Sequence, residues 1–313
     1  MRGAFPLLIL GAAALTLSSF AQAQFRNHAD ICITGTGKFD LDISFCSLAI
    51  KSGLHSQLNQ ATLFAHRGRA RLELGDHHGA VQDFGAALEL NPGSAMAHNE
   101  RGRAYHKTGD NAQAVNAYNK AIKLFPHFGA AFRNRGTVKI FQGKLQDALA
   151  DLDTAIASVN YDPASRILRG IAHYLSGNFG AAIPDLSAAM ELGYPYPEAV
   201  LWIYLAERRL GRDGKAALIE NAADMTGADW PRPLIKAYLG ETTAQAALEA
   251  GKHENSTIQR RRKTQAYFYL GQLALLNNDI VNARKKFDKT IELSFFDAIE
   301  YAGAMLELGR QPH

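Results

Sequence analysis

Few residues of this 313-residue chain stand at spacings that could do chemistry. Cys32 and Cys46 are its two cysteines. They form no C-x-x-C redox motif, and two thiols are too few for a zinc site. Their chemistry is a disulfide or two free thiols, and the compartment decides which. Gly35-Thr36-Gly37-Lys38 has the flavour of a phosphate-binding loop. That loop needs a Gly five positions before its second Gly and a Ser or Thr after the Lys. Cys32 and Phe39 stand there instead, so the segment reads as a turn. His77 and His78 are neighbours in a turn between helices and do not share a helix face as i, i+4 metal ligands would. Neither H-E-x-x-H nor G-x-S-x-G occurs. The expectation is a non-enzyme with no catalytic residue, no metal and no cofactor.

Composition agrees with a folded chain that recognises rather than reacts. It is 47% hydrophobic and 20% charged, with a formal net charge of +4. That rules out a disordered or polytopic membrane chain and gives no warrant for nucleic-acid binding. The run Arg260-Arg261-Arg262-Lys263 lacks interleaved aromatics and reads as an exposed segment. An anionic surface contact is its sharper alternative.

The first residues read as an address. Arg2 precedes an apolar run of about 14 residues from Ala4 to Leu17, short of the roughly 20 needed to cross a bilayer. Ala21-Gln22-Ala23 follows as an A-x-A site. The expectation is a signal peptide over 1–23, cleaved after Ala23, and a periplasmic product. In an oxidising compartment Cys32 and Cys46 are expected to pair, and closing that loop would contribute roughly 3 kcal/mol.

The elements that must position any binding residue show in a repeat. Arg-Gly recurs at Arg67-Gly68, Arg101-Gly102, Arg135-Gly136 and Arg169-Gly170, each step 34 residues. In the same register run Gly75, Gly109, Gly143 and Gly177, then Ala80, Ala114, Ala148 and Ala182. Phe84, Tyr118, Leu152 and Leu186 form a bulky series, and Ala87, Ala121, Ala155 and Ala189 a small one. Small residues let two antiparallel helices approach, bulky ones fill the gaps, and Gly makes the turn. One such pair cannot bury its apolar face alone, so neighbours must stack.

This pattern resembles the tetratricopeptide repeat family over 61–94, 95–128, 129–162 and 163–196. Departures are Lys139, where an aromatic is expected, and Asn160, where Pro is expected. The resemblance implies an all-α solenoid, a right-handed superhelix of antiparallel helix pairs, acting as a protein-binding scaffold. Ahead of it lies a leader over 24–60 carrying the Cys32–Cys46 disulfide. Behind it come a degenerate repeat and irregular helical segment (197–263), then a C-terminal repeat with a capping helix (264–313). Tyr204 takes a small position in the degenerate pair, which should therefore be splayed or repacked. A short helix is expected from Leu234 to Gly251, and the closing helix from Ala298 to Leu308.

The last third, with Trp230 to Pro233, Tyr238 to Gly240, Tyr267 to Gln272 and Glu300 to Ala302, looks like the NlpI-type periplasmic repeat proteins of Gram-negative bacteria. That resemblance implies an adaptor that gathers cell-envelope peptidoglycan hydrolases or proteases, and dimerisation. The family is lipid-anchored through a Cys at the cleavage site. Gln24 stands there in this chain, so no lipidation and no stable membrane anchor are expected.

By the same resemblance, the first helix of each repeat lines a groove. The residues so placed are Arg69, Asn99, Arg103, His106, Lys107, Arg133, Ile140, Phe141, Ile167, Ile171 and Tyr174. The groove would be basic in its first half and apolar further on, suited to protein or peptide partners with acidic residues. The repeated Arg67, Arg101, Arg135 and Arg169 are expected to have a packing or inter-repeat role, their long stems covering apolar surface. Two rival readings stand beside the scaffold. One is a structural homo-oligomer using 197–230 and the capping helix. The other is an exported enzyme with an unrecognised site in the C-terminal segment.

Overall fold

The structure is a computed structural model describing residues 27–159, 161–193, 196–223, 225, 230–293 and 298–310. The expected signal peptide with its cleavage site, Gln24 and Asn160 lie outside the described residues. Among the described residues every regular element is a helix. The chain divides into two compact units, Met1–Pro126 and His127–His313.

The first unit begins with helix α1 (27–34) and α2 (Phe39–Ser52). Cys32 and Cys46 join them in a disulfide, both buried in a small core with Ala29, Ala49 and Leu63. Gly35-Thr36-Gly37-Lys38 is the turn between them. Its glycines have positive φ, and the Asp42 carboxylate accepts bonds from Thr36 N–H (2.6 Å) and Thr36 O–H (2.7 Å). Two helix pairs follow: α3 (Gln57–Glu73) with α4 (His77–Leu90), and α5 (Ala95–Lys107) with α6 (Asn111–Leu124). His77 and His78 open α4 rather than lying in the turn, because Asp76 caps the helix one residue earlier.

Each start has a capping side chain: Ser56, Asp76, Ser94 and Asp110 each accept a bond from the backbone N–H three residues on. Such a cap satisfies a donor the helix cannot satisfy itself. Asp110→Ala should cost about 1 kcal/mol, read as a lower urea midpoint with unchanged m-value. Each pair closes tightly because a glycine faces a large ring. A Cβ on Gly102 would stand 2.6 Å from the Tyr118 ring, so only Gly allows this approach.

The second unit repeats the arrangement in α7 (Gly129–Phe141) with α8 (Leu145–Ser158), and α9 (Pro163–Leu175) with α10 (Phe179–Glu191). The pattern then changes. In α11 (Ala199–Arg209) every residue from Ala199 to Ala206 is buried. A helix apolar on all sides must be covered on all sides. Tyr204 packs on Tyr238 (5.1 Å between ring centroids) instead of admitting a close partner, and α12 (Lys215–Ala223) buries only Leu218.

Leu234 to Gly251 is two helices rather than one, α13 (Arg232–Leu239) and α14 (Ala244–Glu249). Gly240 ends the first in a left-handed conformation (φ 80°), and Thr243 caps the second. The basic run Arg260 to Lys263 lies inside α15 (Ser256–Leu276), capped at Asn255, so it is a helical segment and not a loose one. Helix α16 (Ile280–Glu292) pairs with α15, and α17 (Ile299–Arg310) ends the described chain.

Candidate partner-binding site

The arginines of the 34-residue series do one job three times. Arg67 grips Asp83 with two parallel bonds (2.6 and 2.9 Å), Arg135 grips Asp151 (2.6 and 2.8 Å), and Arg169 grips Asp185 (both 2.6 Å). Each carboxylate sits 16 residues on, across the helix pair, and is nearly closed off from solvent. A second cation joins each: Arg71 at 3.0 Å, Lys139 at 2.8 Å and Arg166 at 3.8 Å. The Lys139 departure from the aromatic pattern is therefore an ion pair. These arginines chiefly tie the two helices of one repeat together. Some also reach the preceding helix pair: Arg67 donates to Ser47 Oγ at 3.1 Å and Arg169 to Asp153 at 2.7 Å.

The residues expected to line a groove separate into open and closed. In the first unit Arg69 is exposed and makes no ion pair with any described residue. It stands at the rim of a cleft of about 170 Å³ between α3, α4 and α5. Phe84 and Ala87 form its floor, with Thr62, Ala65, His66, Met96 and Glu100 around it. Met96 is 63% exposed, an uncovered apolar contact at this rim. Burial, aided by the Arg69 charge, lowers the His66 pKa below its ordinary value, with Asp42 opposing, so the neutral imidazole is favoured near neutrality.

Arg103 spends its charge on Glu100 (2.6 Å) and Glu73 (3.6 Å). Asn99 is buried and donates to Glu100 (2.9 Å), so it is not groove surface. His106 holds Asn111 at the start of α6 (2.8 Å). Lys107 is exposed at the end of α5. With Glu100 already answered by Arg103, the unbalanced charge of the cleft is Arg69.

In the second unit the expected apolar groove is interior. Ile140, Ile167, Ile171 and Tyr174 are each no more than 4% exposed. They belong to one core with Trp202, Phe268 and Phe287, against which Phe141 packs half-buried. The Tyr174 ring meets Trp202 (5.1 Å), and its hydroxyl donates to Gln272 Oε1 (3.1 Å). The reason is non-local: α11, α15 and α17 arrive later in the chain and cover these side chains. Arg133 is paired with Asp162 (3.1 Å), the buried cap of α9. Helices α11 and α17 are likewise consumed, since Ala302, Gly303, Ala304 and Glu307 of α17 face inward. Within 197–230, by contrast, α12 buries only Leu218 and leaves Ile219 57% exposed.

Sequence reasoning by charge missed Thr62, Ala65, His66 and Met96 as cleft residues, although Thr62, Ala65 and Met96 occupy groove positions in the repeat register. Among the described residues no group of three or more His, Cys, Asp or Glu could hold a metal, and no helix is long and apolar enough to cross a membrane.

Residues 66–127 and 133–193 match the tetratricopeptide repeat family. These two stretches are tetratricopeptide repeats. A tetratricopeptide repeat protein from Parabacteroides merdae aligns with TM-score 0.57 and 14% identity, over 92% of this chain and 98% of that one. A thermophilic tetratricopeptide-repeat protein from Thermus thermophilus aligns with TM-score 0.48 and 17% identity, over 58% of this chain and 98% of that one. MamA from Desulfovibrio magneticus aligns with TM-score 0.48 and 19% identity, over 55% and 100%. At such identities the first of these shows the fold: an all-α tetratricopeptide-repeat solenoid. No curated protein sequence matches the chain. Proteins of this repeat type generally mediate protein–protein interactions and generally act as non-catalytic scaffolds.

Proposed function

We propose that this protein is an exported, non-catalytic scaffold that captures acidic segments of partner proteins in the cleft between α3, α4 and α5. The observation that carries this reading is the open cleft of the first unit, with an apolar floor and Arg69 unbalanced at its rim. An Arg fork takes a carboxylate in two parallel bonds, and Met96 and Phe84 supply apolar contact beside it. A preformed cleft also spares the scaffold much of the ordering cost of binding.

Export is supported by the address read in residues 1–23 and by the Cys32–Cys46 disulfide, a bond that persists in oxidising compartments. The likeness of the last third to NlpI-type adaptors favours a periplasmic place among peptidoglycan hydrolases or proteases, without a lipid anchor.

The test is Arg69→Glu. Affinity capture from periplasmic extract should lose its specific partner at least about tenfold, while the thermal melt stays unchanged because Arg69 holds no structural pair. Equal recovery by the variant would remove the cleft from the binding surface. Arg133→Glu is the contrasting control: it should lower stability, by setting two carboxylates against each other at Asp162, and leave capture intact.

A further inference from the structure

The second repeat breaks the arginine rule in a way that leaves a vacancy. Arg169 holds two carboxylates, Asp185 sixteen residues on and Asp153 sixteen residues back. The same offsets from Arg101 fall on Ala117 and Gly85. Both acids are missing. Arg101 Nε, the atom that donates to the aspartate in the other three repeats, is buried with no hydrogen-bond partner. The guanidinium lies over Tyr105 at 6.0 Å from the ring centroid, and it makes no ion pair with any described residue.

Two further features point outward from this vacancy. A Cβ added at Gly85, the register position that carries Asp153 as partner of the fourth repeat's Arg169, would meet nothing within 4 Å, so the surface is open there. Lys120 of α6 is exposed and lies close enough that it and Arg101 both depress the His98 pKa. Lys120 also stands one turn on from Ala117 in α6 (i, i+3), the register position that carries the aspartate in the other three repeats. A buried guanidinium nitrogen without an acceptor is costly and uncommon in folded proteins.

We propose that Arg101, with Lys120, is a docking site for an Asp or Glu side chain of a partner protein, which enters over Gly85 and supplies in trans the carboxylate that Asp83, Asp151 and Asp185 supply in cis. The chain itself displays this ligand three times, in the same two-pronged geometry, so the chemistry recognised is a carboxylate on a short stem. The site is separate from the Arg69 cleft and does not depend on it.

The test uses the full chain carrying Arg69→Glu, so that the cleft does not contribute. The probe is a short fluorescein-labelled peptide of alternating Asp and Ala, with the matching Asn and Ala peptide as control, read by anisotropy. The Asp peptide should bind and the Asn peptide should not. Ala117→Asp restores the internal acid and should weaken Asp-peptide binding at least about tenfold while raising Tm. Arg101→Gln should weaken it to a similar extent. Unchanged affinity in both variants, equal binding of the Asn peptide, or no binding of the Asp peptide would each overturn the proposal.

Discussion

Trp202→Ala lowers the stability of the second unit by about 3–5 kcal/mol. The side chain is wholly buried in α11. Its ring meets Tyr174 of α9 at 5.1 Å and Phe268 and Tyr269 of α15 at 5.3 and 5.8 Å. Three helices from distant parts of the chain thus share one indole. Truncation forfeits the transfer energy of a large aromatic and leaves a cavity that ring-packed neighbours cannot collapse into. Aromatic pairing adds about 0.5–1.5 kcal/mol for each well-oriented contact beyond buried area.

The other tryptophan reports the outcome. Trp230 is 9% exposed and donates to Gln265 Oε1 at 2.8 Å. In the variant its emission should still be blue-shifted in the folded state and move to the red at a lower urea concentration. Hydrogen exchange should quicken in α9, α11 and α15 together. A loss below about 1 kcal/mol, in the range of a surface substitution, would mean the site repacks and the indole is not the joint between these helices.

The 34-residue period was legible because small, bulky and turn residues recur at fixed offsets, and those offsets are set by local helix geometry. Asp76 and Asp110 were legible as caps for the same reason. The stripe Ile167, Ile171 and Tyr174 was not decidable locally. Its i, i+4, i+7 spacing suits a groove or a core equally, and what decides is Trp202, Phe268 and Gln272, contributed from 28 to 105 residues later. The basic run at 260–263 hid the first turns of α15, since four charges in a row show no apolar period; the Asn255 cap was the overlooked signal. The Arg–Asp clamps were readable in principle. Asp83, Asp151 and Asp185 repeat sixteen residues after their arginines, in the same 34-residue register apart from the second repeat.

Glu300→Gln stabilises the protein, and does so only toward neutral and alkaline pH. Glu300 of α17 is buried, and its Oε1 accepts from Gln265 Nε2 at 3.4 Å; the same amide donates to Glu198 of the α11 start at 2.8 Å. Two carboxylates thus share one donor. Burial and the Glu198 charge push the Glu300 pKa up to about 7, against the partial opposition of Arg261. Glu198 is pushed the same way by burial. Tyr196 and Tyr269 complete the surroundings, and burial holds both phenols protonated.

The folded state therefore holds its Glu300 proton more tightly than the unfolded chain, where the group titrates near its ordinary 4.5. Below that pH both states are protonated and the group costs nothing. As pH rises from 4.5 to 7 the unfolded chain releases the proton first, so stability falls. Above 7 the penalty is complete, roughly 3 kcal/mol for a shift of this size. An amide keeps the acceptor oxygen that Gln265 needs and carries no charge. Denaturant midpoints of the variant and the parent should coincide near pH 4.5 and diverge up to about pH 8, the variant becoming the more stable. Relief of the like charge should also let Glu198 ionise more readily, so part of the pH dependence stays until Glu198→Gln is added. Parallel curves for parent and variant across this range would show that the α17 seat tolerates the buried charge, and that the carboxylate pair does not set the pH dependence of this unit.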